Sequence, residues 1–162
     1  MSAVFRPGRA FLFAHPAHFI AFGFGAGMAR FAPGTFGTLL AWPFGSLIHG
    51  LAPASLAGTL VALFVLGVWA CEVSARHLGI EDHGGMVWDE FVAFLLVLAI
   101  VPSQLGWQAA AFLLFRAFDI ANPPPIRDLE RRFAGGFGVM LDDLVAAGYT
   151  LIVLALMQRL VP

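Results

Sequence analysis

The stretch MVWDEFVAFLLVLAIVP, residues 86–102, places two adjacent carboxylates, Asp89 and Glu90, at the start of an apolar run. A second stretch, MLDDLVAAGYTLIVLALMQRLV at residues 140–161, repeats the arrangement with a pair of aspartates. The helix dipole favours acidic residues in a first turn, so one such pair could be a simple cap facing water. Two pairs in a chain with only ten acidic residues indicate a shared function.

The composition indicates an integral membrane protein. Sixty per cent of the residues are hydrophobic, 12% are charged, and the mean hydropathy is +0.86, which leaves too few polar residues to cover a soluble domain. The 162 residues predict one domain, 1–162. A net charge of −1 argues against a nucleic-acid partner. The lone Cys71 excludes an internal disulfide and is typical of a small packing residue.

The N-terminal residues do not have the pattern of a cleaved signal peptide. Arg6 and Arg9 would suit its basic region, but His15, Pro16 and His18 interrupt the apolar segment that should follow. We therefore expect an amphipathic N-terminal segment that lies on the membrane surface.

Two apolar helices are predicted in the first half of the chain. Residues 31–71 include no Asp, Glu, Lys or Arg, and this segment is too long for one span because about 20 residues cross the hydrocarbon core. The sequence LAPAS at residues 51–55 breaks it. The expected helices cover roughly residues 34–52 and 54–73.

The next uncharged window, residues 91–115, permits two interpretations. It is either one long helix kinked at Pro102 or a hairpin of two short helices that turns at VPSQLG. The hairpin places every arginine except Arg159 on one side, so the positive-inside rule favours it. With a last helix over residues 144–161, we expect an all-α fold. It is a compact membrane bundle of about five apolar helices plus the amphipathic segment, with the N-terminus inside and the C-terminus outside.

The hairpin would gather charged side chains at the cytoplasmic end of the bundle. They are five carboxylates and one guanidinium: Asp89, Glu90, Asp119, Asp142, Asp143 and Arg116. Carboxylates that converge need either protonation or a counter-ion. Hard oxygen ligands suit Mg²⁺, or alternatively Mn²⁺ or Ca²⁺. A divalent ion beside arginine is typical of phosphoryl chemistry.

Two further segments are candidates for the same site. APGTFGT, residues 32–38, precedes a helix whose free N–H groups could hold a phosphate, with Thr35 and Thr38 as extra donors. A simple junction between loop and helix explains it equally well. His83, in a glycine-flanked loop, could act as an acid or base, and the alternative is an ordinary surface histidine.

Four blocks of the sequence carry a resemblance to a known family. They are GFGAGMARFAPGTFGTLLAWPF, DHGGMVWDEF, FRAFDIANPPPIRDLERR and GGFGVMLDDLVAAG. In this order and spacing, over about residues 23–148, the chain resembles the phosphatidylglycerophosphatase A family. The resemblance implies a compact all-α, magnesium-dependent lipid phosphatase of the bacterial inner membrane. The reaction it implies removes the terminal phosphate of phosphatidylglycerophosphate and leaves phosphatidylglycerol.

The resemblance also implies roles for individual residues. One or two Mg²⁺ ions would be held by Asp89, Glu90, Asp142 and Asp143. Arg116 and Arg127 would neutralise charge on the phosphate. Asp119 would orient or deprotonate the attacking water, or would itself be the nucleophile. Many family members have Lys at the position of Asn122, so Asn122 lies where a phosphate contact is expected, and Arg127, Arg131 or Arg132 would compensate for the missing charge.

The expected partners are the phospholipid substrate and the bilayer, with the active site at the cytoplasmic leaflet. The sequence does not specify an oligomeric state. One alternative is a related lipid phosphotransferase, although the DGxxAR signature of the CDP-alcohol class is absent. Another is a small transporter that uses the acids as a cation or proton path, but such acids should lie near the midplane of the spans, which is apolar here.

Overall fold

The computed structural model describes residues 7–124, 126 and 132–160. These residues form helices and turns, with no β-strand among them, which confirms the all-α class. In chain order the helices are α1 (Arg9–Ala14), α2 (Pro16–Ala21), a 3-10 helix (Gly23–Met28), α3 (Pro33–Ile48), α4 (Pro53–Leu78), α5 (Trp88–Ile100), α6 (Leu105–Ala121) and α7 (Gly135–Leu160).

The apolar window over residues 91–115 is a hairpin of two helices. The chain leaves α5 at Val101, whose φ and ψ of −73° and 146° are extended, as expected for a residue before proline. It re-enters a helix at Leu105. The end of α6 then returns to the start of α5, where Arg116 contacts Glu90.

The expectation of about five membrane-crossing helices is wrong. Within the described part of the chain, two helices are long and apolar enough to cross a membrane, α4 and α7, with 26 residues each. Helix α5 has 13 residues, too few for the roughly 20 that a span requires. It is apolar on all sides because other helices surround it, and nine of its residues are buried. Sequence hydrophobicity did not distinguish burial in protein from exposure to lipid.

Helix α5 lies at the centre of the bundle and packs against α3 and α7. Two tryptophan side chains fix its surroundings. Trp42 Nε1 donates to Gln108 Oε1 at 2.8 Å and ties α3 to α6. Trp88 Nε1 donates to the Leu63 carbonyl at 3.1 Å, so the start of α5 lies beside the middle of α4. The side chain of Trp88, which directly precedes the carboxylates of α5, therefore packs between Leu63 and Gly67 of α4.

The N-terminal segment packs against the bundle through one face. Ala17, His18 and Ala21 of α2 are buried, and α2 contacts α4. His18 Nδ1 donates to the Phe11 carbonyl at 2.8 Å, and its Nε2 lies 2.8 Å from Nδ1 of His77 on α4. These contacts join the N-terminal helices to the C-terminal end of α4.

Candidate active site

Three carboxylates from two helices form the centre of the site. Asp89 and Glu90 lie in the first turn of α5, and Asp143 lies about two turns after the start of α7 at Gly135. One oxygen atom from each side chain lies within 4.8 Å of the others. Asp89 is 8% exposed and Asp143 is 5% exposed. The pairs predicted from the sequence therefore meet, and one member of the second pair reaches the centre.

Helix α6 brings a guanidinium and a fourth carboxylate to the same place. Arg116 and Asp119 lie one turn apart on one face of α6 and form an ion pair. The Arg116 Nη1 atom is also 3.6 Å from Glu90 Oε1. Both Arg116 and Glu90 are largely buried, with side-chain exposures of 13% and 12%. Arg116 thus bridges α5 and α6 at the carboxylate cluster.

Burial perturbs the carboxylates of this cluster. It raises the pKa of Asp89 well above the ordinary range, and the neighbouring Glu90 raises that pKa further. Burial raises the pKa of Glu90 to about 6, although contact with Asp89 opposes the shift. Burial also raises the pKa of Asp119, against the opposing effect of Arg116. The single positive charge of Arg116 therefore does not offset the cost of burying the ionised forms of these carboxylates.

Several atoms in the cluster lack a hydrogen-bond partner. Glu90 Oε2, Asp143 Oδ2 and Arg116 Nε are all buried without one among the described residues. Within the described part of the site, four carboxylates, those of Asp89, Glu90, Asp119 and Asp143, share one guanidinium, which contacts Glu90 and Asp119. The excess of negative charge and the two unpaired oxygens are what a divalent cation would satisfy.

The first turn of α3 approaches the cluster from another side. A Cβ atom on Gly34 would overlap Glu90 Oε1 and would lie 2.9 Å from Arg116 Nη1. Thr35 follows Gly34 and is half-buried in this turn. The Thr38 hydroxyl is buried and donates to the Gly34 carbonyl at 2.9 Å, so it stabilises the helix from within. The predicted phosphate-binding turn therefore lies beside Arg116. Thr35 lies in the first turn of α3, whereas the Thr38 hydroxyl is one turn further along and is already bonded to the Gly34 carbonyl.

Asp142 and Asn122 line a polar cavity. The cavity has a volume of about 630 Å³ and is also lined by Glu81 and Asp82. Asp142 Oδ1 accepts the backbone N–H of Asp143 at 2.9 Å. Asp142 is thus adjacent to the compact carboxylate group but lies outside its three members. Asn122 ends α6 in the left-handed conformation, with φ of 44°.

His83 borders a second cavity of about 460 Å³, together with Arg30 and Pro33. Its ring is buried, and Nδ1 accepts the backbone N–H of Gly85 at 3.0 Å. Because Pro33 precedes Gly34, this cavity adjoins the turn of α3 that contacts the cluster. Arg127, the remaining predicted phosphate ligand, lies outside the described residues.

Glu72 positions the helix that carries Asp143, a role that the sequence pattern did not predict. Its Oε2 accepts the Gly136 N–H at 2.9 Å, and its Oε1 pairs with Arg76 at 2.7 Å. This contact fixes the start of α7 at Gly135, well before the predicted start at residue 144. The one available signal was that Glu72 ends the long uncharged segment.

The sequence matches known proteins over most of its length. The profile of the phosphatidylglycerophosphatase A family matches residues 19–158. A phosphatidylglycerophosphatase A from Haemophilus influenzae is 44% identical over 147 residues, covering 89% of this chain and 90% of the relative. A second, from Escherichia coli, is 42% identical over 82% of this chain and 77% of the relative.

A third relative has a different name. It is a putative phosphatidylinositol-3-phosphatase from Bacteroides thetaiotaomicron, 42% identical over 82% of this chain and 87% of the relative. No solved structure matches the chain. The family profile covers the four carboxylates and the arginine of the cluster, and with the two relatives of the same name it shows that the chain belongs to the phosphatidylglycerophosphatase A family.

Proposed function

We propose that this protein is a phosphatidylglycerophosphatase, which hydrolyses the terminal phosphate of phosphatidylglycerophosphate to give phosphatidylglycerol. The observation that carries the proposal is the buried group of Asp89, Glu90 and Asp143, with oxygens within 4.8 Å of one another, beside Arg116. Membership of the family supports the choice of substrate.

Mg²⁺ is the cofactor that fits these residues best. All the donors are carboxylate oxygens, which are the ligands of hard cations. Two of them, Glu90 Oε2 and Asp143 Oδ2, are buried and lack a hydrogen-bond partner among the described residues. We assign Asp89, Glu90 and Asp143 as ligands, with Asp142 at the edge of the site. A bound Mg²⁺ ion would act as a Lewis acid on the phosphate oxygens.

The side chains around the carboxylates supply the remaining chemistry. Arg116 can donate two N–H groups to the equatorial phosphate oxygens and stabilise the charge that develops on them. Asp119, held by Arg116, is placed to accept a proton from the attacking water. The water oxygen bonds to phosphorus, the bond from phosphorus to the glycerol oxygen breaks, and the released alcohol takes a proton from solvent. In the alternative mechanism, an Asp119 oxygen bonds to phosphorus as the bond to the glycerol oxygen breaks and the alcohol takes a proton from solvent, and water then hydrolyses the aspartyl phosphate to release phosphate and restore Asp119.

The substrate places this reaction at a membrane. Helices α4 and α7 are long and apolar enough to cross it. Five of the described arginines precede α7, namely Arg9, Arg30, Arg76, Arg116 and Arg132, and Arg159 is in its last turn. This asymmetry supports a cytoplasmic active site in the bacterial inner membrane. The carboxylates gather at one level and do not follow an axis through the bundle, so we do not propose a transporter.

The test compares two adjacent aspartates, Asp143 inside the carboxylate cluster and Asp142 at its edge. We expect Asp143→Asn to lower phosphate release from phosphatidylglycerophosphate by more than ~100-fold, and Asp142→Asn by only about 10-fold, the lower end of the range for residues beyond the metal ligands. The assay uses the purified protein in vesicles, with Mg²⁺ titrated against EDTA. Wild-type activity that survives EDTA, or an Asp143→Asn enzyme with normal turnover, would contradict the proposed site.

The same assay should vary the headgroup. Phosphatidylinositol-3-phosphate is the comparison substrate, because one relative is named for it. We expect faster release from phosphatidylglycerophosphate, and the reverse order would assign a different lipid to the same site. Acid quenching with labelled substrate separates the two roles of Asp119, since only the nucleophilic role leaves labelled phosphate on the protein.

A further inference from the structure

The two halves of α4 pack differently. Its C-terminal half contributes five buried residues, Gly67, Ala70, Cys71, Ser74 and Ala75. None of residues 53–66, all of which the structure describes, is buried. The same residues are uncharged. The N-terminal half of α4 therefore packs less closely against the other helices than the C-terminal half does, and it presents apolar side chains to the space between them.

Two apolar grooves lie there. One is between α4, α5 and α7, and the other is between α3, α4 and α5. The α4–α7 groove has a volume of about 260 Å³ and is lined by Leu60, Val61, Phe64, Val92, Leu96 and Leu144. The α3–α4 groove has a volume of about 410 Å³, and its lining includes Phe44, Leu47, Thr59, Leu63, Trp88 and Leu95. Thr59 is the one polar residue in either lining.

Both grooves are lined by residues that neighbour the carboxylate cluster. In the α4–α7 groove, Leu144 follows Asp143 directly, and Val92 lies one turn after Asp89 on the same face of α5. In the α3–α4 groove, Trp88 directly precedes Asp89. One helical turn is about 5.4 Å, so each groove has a lining residue within about one turn of a carboxylate assigned to the site.

Apolar clefts that open beside a polar site suit a ligand with a charged head and hydrocarbon tails. Water gains little in such clefts because they offer it almost no hydrogen-bond partners. A diacyl lipid has two chains that leave one headgroup, and here two grooves leave one cluster. We propose that the grooves hold the two acyl chains of the substrate lipid, one chain in each, on either side of the N-terminal half of α4. This inference rests on the proposed lipid phosphatase function.

The first experiment fills each groove and varies the length of the acyl chains. Leu96→Trp narrows the α4–α7 groove, Thr59→Trp narrows the α3–α4 groove, and Leu113→Trp is the control on an exposed position of α6 that lines neither. We expect each groove variant to raise the KM for dioleoyl phosphatidylglycerophosphate about tenfold. The KM for the dihexanoyl form and the kcat should stay at the wild-type values. Equal changes for both chain lengths, or none for either, would overturn the proposal.

The second experiment does not depend on turnover. Phosphatidylglycerol with a photoreactive diazirine on one acyl chain is mixed with the full-length wild-type protein in vesicles and irradiated. We expect adducts within residues 59–64 and 91–96. Adducts confined to α6, or a crosslinked dimer that joins two copies through α4, would overturn the proposal. Loss of the proposed phosphatase activity is a separate result, because this labelling uses the product lipid.

Discussion

Gly34→Ala is the substitution that most directly tests the arrangement of the site. The added Cβ would overlap Glu90 Oε1 and would lie 2.9 Å and 3.1 Å from the two terminal nitrogens of Arg116. The pair must therefore move away from α3 to make room. A displacement of about 1 Å at a catalytic group can cost ~100-fold in rate. We expect kcat to fall by about that factor.

The effect of Gly34→Ala on stability should be much smaller. Overpacking costs about 1–3 kcal/mol, and replacing glycine by alanine in a helix returns about 1 kcal/mol. The net loss of about 0–2 kcal/mol corresponds to a fall in Tm of at most about 8 °C. A large loss of activity with a small change in Tm is therefore the expected signature.

Gly58→Ala is the matched control, because no described atom lies within 4 Å of its added Cβ. It should leave kcat unchanged and raise stability by up to ~1 kcal/mol. Phosphate release at saturating lipid and thermal unfolding are measured for both variants. Gly34→Ala with wild-type turnover would refute the contact between α3 and the Glu90–Arg116 pair, and with it the geometry of the site.

Three further predictions concern protonation and burial. The pKa of Glu90 is about 6 in the folded protein against an ordinary 4.5, so the folded state binds more protons than the unfolded state between these pH values. In EDTA, the Tm should therefore fall as the pH rises from 4.5 to 6, and Glu90→Gln should flatten this slope. A Tm that rises over this pH range would contradict the prediction. His77→Ala removes the partner of buried His18 Nε2 and should cost about 1 kcal/mol in urea unfolding, whereas His49→Ala, at an exposed residue, should cost nothing measurable. Cys71 is fully buried, so its thiol should react with maleimide only after the protein unfolds. Rapid labelling of the native protein would show that α4 does not pack as described.

The hairpin of α5 and α6 was predictable because the distribution of arginine favoured a chain that returns to the same side. Pro102 was compatible with a kinked helix as well as with a turn, and the length of the uncharged window alone favoured a single helix. The meeting of the acidic pairs followed from that topology. The number of membrane-crossing helices did not follow, because an apolar sequence such as that of α5 is equally suited to a protein core.

The sequence could not show which aspartate of the second pair enters the cluster. Adjacent residues on a helix point about 100° apart, so the rotation of α7 decides between Asp142 and Asp143. That rotation is fixed at the start of the helix, where Gly136 donates to Glu72. The partner lies 64 residues earlier in the chain, and no local pattern around Asp143 reveals it.

Close packing at glycine explains why the carboxylates lie where they do. A Cβ on Gly37 would be 2.6 Å from Val87 Cβ, and a Cβ on Gly67 would be 2.6 Å from Trp88 Cδ1. With Gly34, these positions let α3 and α4 approach the first turn of α5 more closely than any larger residue permits. The first turn of α5 thus lies in close contact with both α3 and α4. Carboxylates placed one turn later would face the apolar grooves, where neither Arg116 nor a hydrated cation could reach them.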